Sequence, residues 1–151
     1  AFAQRLRWRF LDCDRLAQDQ TGLTISEIFQ RHGEAAFRQA ETRVLQTLRQ
    51  EGLRHCVLAT GGGVVERGTN EALLRSLGLR VYLQCSWVTA WARMRGESSQ
   101  RPLLADRADA RQRFLRRQAL YLSWAGLTVN TDTLTAAQVA QVIFHRVRTS
   151  R

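Results

Sequence analysis

The most constraining stretch of the chain is "HCVLAT", residues 55–60, an apolar run that does not alternate with polar residues and is followed at once by Gly61, Gly62 and Gly63. A strand covered on one face alternates; a continuous run predicts one covered on both faces, which is the environment of a parallel sheet with helices on either side. A second such run is "LRVYLQC" (79–85); "RWRFLDCD" (7–14) predicts a short strand ending at Asp12 or Asp14, and "GLTVNT" (126–131) a last strand. Between these runs the apolar spacing becomes helical. Phe37, Ala40, Val44, Leu45 and Leu48 form one stripe along 34–50, which follows a helix start at Thr24 or Ser26 and an interruption at Gly33. Further helices are predicted around 70–78, 88–95, 108–125 and 135–148, the third of these segments carrying Phe114, Leu115, Tyr121 and Leu122. Strands alternating with helices predict a three-layer α/β domain with a mainly parallel sheet.

Length and composition exclude several alternatives. At 151 residues the chain is the size of one domain and can bury a core without disulfide or metal support. Cys13, Cys56 and Cys85 are odd in number and far apart, so neither a disulfide framework nor a zinc site is predicted, and a reducing, cytoplasmic setting is expected. No segment approaches the roughly 18 apolar residues that a membrane span requires. Every basic residue other than histidine is arginine, and the formal charge is +10. Such charge favours anionic ligands without saying which. The arginines are spread along the chain without an aromatic strand or zinc pattern, so no specific nucleic-acid partner is expected, and a basic nucleic-acid-binding module is the weakest of the competing readings.

Several local patterns could carry chemistry. The three glycines behind a strand let backbone approach a ligand closely, although a tight turn would need them equally. The spacing Gly63-x-x-x-x-Gly68-Thr69 imitates a phosphate loop but lacks its lysine. Asp12 and Asp14, two apart at a strand end, would point to the same side if the extended geometry persists; there they could hold Mg²⁺ through water and orient or deprotonate a hydroxyl. Glu34, Arg38 and Glu41 are spaced to face one another on a helix, either as surface ion pairs or as carboxylates steadying an arginine that grips an anion. Arg117 and Tyr121, four apart, offer a second anion clamp, and Arg101 beside Pro102 and the polar segment "RGESSQR" could close over transferring phosphates.

Together, "WRFLDCD", "TGLTISEIFQRHGEAAFRQAE", "VLATGGGVV", "VYL", "RPLL", "RQALY" and "GLTVNT", in this order and spacing, resemble shikimate kinase over nearly the whole chain. The resemblance implies a P-loop kinase fold of the nucleoside-monophosphate-kinase type, a single domain over 1–151 with a lid at 93–105, a monomer, and transfer of the ATP γ-phosphoryl group to the 3-hydroxyl of shikimate in aromatic amino-acid biosynthesis. It also implies residue roles. Asp12 helps place Mg²⁺, and Asp14 binds the shikimate hydroxyls and activates the nucleophile. Arg38 and Arg117 grip the carboxylate, Gly61, Gly62 and Gly63 contact the ring side, Glu41 orients Arg38, Tyr121 supports the clamp, and Arg101 reaches the ATP phosphates.

The chain departs from the family pattern in one large respect. The family's five-stranded sheet begins with a central strand and the loop Gly-x-x-x-x-Gly-Lys-Ser/Thr, whereas this sequence begins at "AFAQRLRW", similar to the second half of the helix behind that loop, and contains no lysine. Activity is therefore expected to require that segment; a catalytically inactive, kinase-like binding or regulatory protein is the alternative. Ala119 and Ser123, where the family usually has proline and an acidic residue, leave Arg117 and Tyr121 in place.

Overall fold

The computed structural model describes residues 2–96 and 107–149, which divide into two compact units, 1–79 and 80–151. In the first unit the order is α1 (Phe2–Leu6), β1 (Arg9–Asp12), α2 (Cys13–Thr21), α3 (Ile25–Gln50), β2 (Cys56–Ala59), a short 3₁₀ turn (Val64–Glu66) and α4 (Thr69–Leu77). Strands β1 and β2 pair in parallel, Arg9 opposite Cys56 through Asp12 opposite Ala59. The second unit holds β3 (Val81–Gln84), α5 (Trp87–Gly96), α6 (Arg107–Trp124), β4 (Leu127–Asn130) and α7 (Ala136–Thr149). Here β3 and β4 pair in parallel, Val81 opposite Leu127 through Gln84 opposite Asn130. Both pairs are parallel with helical connections, the α/β architecture that the strand runs predict.

Helix α3 organises the first unit. Thr24 caps it in a reciprocal capping box: the Thr24 hydroxyl accepts from the Glu27 amide at 3.2 Å, and the Glu27 carboxylate accepts from the Thr24 amide at 2.9 Å. The interruption at Gly33 is a kink with φ 77° and ψ 176°, a region that residues with a Cβ rarely enter. Beyond it, Phe37, Ala40, Val44, Leu45 and Leu48 are all buried, as their spacing predicts. At about 1.5–3 kcal/mol for each large side chain removed from water, this stripe is a major apolar anchor of the unit.

Two expectations are corrected. Extended geometry does not persist through Asp14: the strand ends at Asp12, and Cys13 opens α2, a helix that the sequence reading did not recognise. The cause is local. Asp12 Oδ1 accepts from the Asp14 and Arg15 amides at 2.9 and 3.4 Å, so the aspartate turns the chain into a helix by capping it. Second, the continuous run read as a strand covered on both faces is only partly covered: no residue of β2 is buried, nor any of its neighbour β1, where Phe10 is 62% exposed. Among the described residues each of these strands pairs with a single neighbour. On α6, Leu115 and Leu122 are exposed, whereas Phe114 packs against Trp87 and Tyr121 against Tyr82, with ring centroids 5.4 and 5.0 Å apart.

Candidate active site

The carboxyl ends of β1 and β2 meet the middle of α3. From β1 the chain passes Asp12 and enters α2, whose first turn carries Asp14. From β2 it passes directly into Gly61–Gly63. The glycine turn is closed by its own backbone, since Gly61 O accepts from the Val64 amide at 3.2 Å and Gly63 O accepts from the Glu66 amide at 2.9 Å.

Arg38 is the electrostatic centre of this region. It is buried, its Nη1 donates to Glu41 Oε2 at 2.7 Å, and its Nη2 and Nε donate to Glu34 Oε1 at 2.8 and 3.2 Å. Glu41 is almost completely buried, whereas Glu34 is open to solvent. Burial pulls the Arg38 pKa down, but hydrogen bonds to Glu41 and Glu34, reinforced by their charges, outweigh it and hold the guanidinium above its ordinary value. The group is therefore a fixed cation. The Phe37 ring supports it from 5.1 Å.

The glycines have distinct geometric reasons to lack a side chain. A Cβ on Gly63 would overlap the Arg38 guanidinium, which lies close against the turn. A Cβ on Gly61 would stand 3.1 Å from both Asp14 Oδ1 and Glu41 Oε1. Neither glycine has positive φ, so close approach rather than backbone conformation requires them. Gly62, between them, is exposed. Thus Asp14, Arg38, Glu41, Gly61 and Gly63 converge on one locus: an acidic group, a fixed cation and bare backbone.

Asp12 stands two residues before Asp14, at the N-cap of α2. One of its oxygens caps α2, and no cluster of three or more His, Cys, Asp or Glu side chains suited to a metal occurs among the described residues. This fits Mg²⁺ only in its common mode, held by few carboxylates while substrate phosphates and water complete the shell. Cys13, between the two aspartates, is buried; burial first, then Glu41, Asp14 and Asp12, push its thiol up to about 12. It is an inert packing group.

In the second unit Arg117 and Tyr121 lie one helical turn apart on α6, both partly exposed, with Tyr121 stacked on Tyr82. Burial, chiefly, raises the Tyr82 phenol above its ordinary pKa. Arg101 and positions 97–105 of the expected lid lie outside the described residues, while the start of that lid continues α5 to Gly96. Glu34 was legible as a partner of Arg38 from its spacing. The buried Thr42 and Asn70, which hydrogen-bond each other at 2.9 Å, gave no such signal because 28 residues separate them.

Parallel strands with helical connections, and acidic and cationic groups gathered at a strand's carboxyl end, define an α/β small-molecule enzyme. Its fold is that of P-loop kinases: shikimate kinase from Acinetobacter baumannii in complex with shikimate matches with a TM-score of 0.89 and 32% identity, over 99% of this chain and 84% of that one. Shikimate kinase from Aquifex aeolicus matches with a TM-score of 0.81 and 25% identity, over 99% and 86%. The family described as shikimate kinase covers residues 1–148, and the chain belongs to it. Among curated relatives, shikimate kinases from Marinomonas sp. and Moorella thermoacetica are 36% and 39% identical, covering 97% and 93% of this chain and 81% and 80% of their own lengths. An ATP-dependent kinase is the enzyme class that this membership defines.

Proposed function

We propose that the protein transfers the γ-phosphoryl group of MgATP to the 3-hydroxyl of shikimate. The observation that carries this reading is Arg38, a buried cation braced by Glu34 and Glu41 and laid against Gly63, with Asp14 and Glu41 both facing Gly61. A small polyol bearing one carboxylate needs such a combination: a fork-shaped cation for the carboxylate, bare backbone beside the ring and a carboxylate for the hydroxyls.

In this reading Arg38 grips the shikimate carboxylate, with Arg117 as the second grip and Tyr121 supporting it. Glu41 orients Arg38 by holding one arm of the guanidinium. Gly61, Gly62 and Gly63 let the ring approach the backbone. Asp14 binds the hydroxyls and accepts the proton of the attacking 3-hydroxyl as its oxygen bonds to the γ-phosphorus and the bond to the ADP oxygen breaks. Asp12 would help hold Mg²⁺ brought by the nucleotide, which would supply positive charge against the phosphates. Arg101 closes over the phosphates. Rate enhancement comes from alignment, charge stabilisation and exclusion of water.

We further infer one domain over 1–151 with a lid at 93–105, a cytoplasmic monomer, and no specific nucleic-acid partner. No helix among the described residues is long and apolar enough to cross a membrane. The family's lysine-bearing phosphate loop is not among residues 1–151, and turnover is expected of a chain that carries it. The test is ADP release from MgATP by the full-length protein with and without shikimate. Release only with shikimate, sharply reduced in Asp14→Asn, supports the assignment. Release indifferent to shikimate refutes it; shikimate binding without release points to a binding protein.

A further inference from the structure

Asn70 is only 1% exposed, and its side chain joins parts of the first unit that are distant in sequence. Its Nδ2 donates to Val64 O at 2.9 Å, and its Oδ1 accepts from the Thr42 hydroxyl at 2.9 Å. The orientation of the amide is chemically determined, because only the NH₂ end can donate to a carbonyl. The Thr42 oxygen also lies 3.0 Å from Arg38 O; its single proton serves one of the two acceptors at a time, and either way the hydroxyl stands at the helical turn that carries Arg38. Thr42 directly follows Glu41 in α3, and Val64 directly follows Gly63 in the glycine turn. The guanidinium of Arg38 lies against Gly63 closely enough that a Cβ there would overlap it.

Two surfaces in such close contact need a fixed spacing, and a buried, directional hydrogen-bond chain adds a constraint of angle and distance to that of apolar packing. We propose that Asn70 and Thr42 are positioning residues: together they set the glycine turn against α3 and so hold the Arg38 guanidinium and the Gly61–Gly63 backbone in the spacing that binds the substrate. This rests on the reading of Arg38 as the grip for the shikimate carboxylate. Neither residue touches substrate in this scheme. Their effect passes through the position of Arg38 relative to the turn.

The test measures shikimate affinity by titration calorimetry on full-length wild-type protein and on the Thr42→Val, Thr42→Ser, Asn70→Ala and Arg38→Ala variants, with KM for ATP and the melting temperature recorded for each. Thr42→Val keeps the shape and deletes the hydroxyl. It should weaken shikimate binding by about tenfold, the scale expected of one lost buried hydrogen bond, and leave KM for ATP within about twofold. Thr42→Ser, which restores the hydroxyl, should recover affinity. Asn70→Ala should weaken binding at least as much, and adding Thr42→Val to it should cost less than the product of the two single effects, because both break one link. If Asn70→Ala does not fold, the threonine pair alone decides. Wild-type shikimate affinity in Thr42→Val alongside a clear loss in Arg38→Ala overturns the positioning role, as does an equal rise in both substrates' KM. Unchanged affinity in Arg38→Ala instead overturns the site assignment itself, and the positioning role with it.

Discussion

Gly63→Ala is the sharpest single perturbation of the proposed site. Gly63 has φ −86° and ψ −4°, a conformation open to alanine, so the substitution introduces no backbone strain. What it introduces is a methyl group in the space of the Arg38 guanidinium. An exposed arginine would swing away at little cost. Arg38 cannot, because it is buried and held on one side by Glu41 at 2.7 Å and on the other by Glu34 at 2.8 Å. Displacement towards solvent can retain Glu34, which is itself exposed, but it strips the buried Glu41 carboxylate of this partner. A hydrogen bond to a charged group is worth about 1.5–3 kcal/mol, so the variant should lose about that much stability in urea unfolding. Shikimate affinity should fall by roughly 10- to 150-fold if the same displacement is suffered by the grip on the carboxylate, since each 1.4 kcal/mol is a factor of ten. Gly68→Ala is the matched control: Gly68 has helical backbone angles and nothing within 4 Å of an added Cβ, so neither quantity should fall. Wild-type stability and affinity in Gly63→Ala would refute the claim that the guanidinium is pinned against the turn.

Three other outcomes are expected. Gly33→Ala should lose about 1–3 kcal/mol in urea unfolding, because φ 77° and ψ 176° are hostile to any Cβ although nothing crowds the site; an unchanged midpoint would mean that the kink relaxes freely. Cys13 should resist alkylation at pH 8 in the folded protein and react only on denaturation, given its burial and a thiol pKa pushed up to about 12; peptide mapping after iodoacetamide treatment decides this. The Glu27 carboxylate is held below its ordinary value of 4.5, first by the Thr24 amide and then by the Thr24 hydroxyl. The unfolded chain therefore binds the Glu27 proton more readily than the folded one, so this contribution is complete above the ordinary value and is lost as pH falls through the lower folded value. Urea midpoints measured down the acid limb should decline less steeply in Glu27→Gln.

Residues at helical and strand spacing carried most of the secondary structure in the sequence itself. The α3 stripe, the Thr24 cap and the Gly33 interruption are local properties: side-chain periodicity, a hydroxyl three residues before a glutamate, and a residue without Cβ. The Glu34–Arg38–Glu41 grouping was legible for the same reason, since three- and four-residue separations meet on any helix. Asp12 and Asp14 show where that legibility stops. Both were read as side chains at a strand end, yet Asp12 caps α2 and Asp14 stands in its first turn, because an aspartate oxygen competes successfully for backbone amides as soon as the strand ends.

By itself, then, the sequence determined the alternation of strand and helix, the residues of the buried stripe and the chemical types able to hold an anionic polyol. Its ordered motifs also pointed to the kinase family. Only tertiary structure decided what the glycines are for, since nothing within residues 61–63 announces that Arg38 will lie against Gly63 or that Asp14 and Glu41 will face Gly61. Likewise Thr42 and Asn70 are unremarkable polar residues until α3 and α4 pack and bring them to 2.9 Å. The physical reason is range. Periodicity and capping act within a few residues, whereas the cost of a missing or added methyl group at a buried contact depends on whichever distant atoms the fold has brought there.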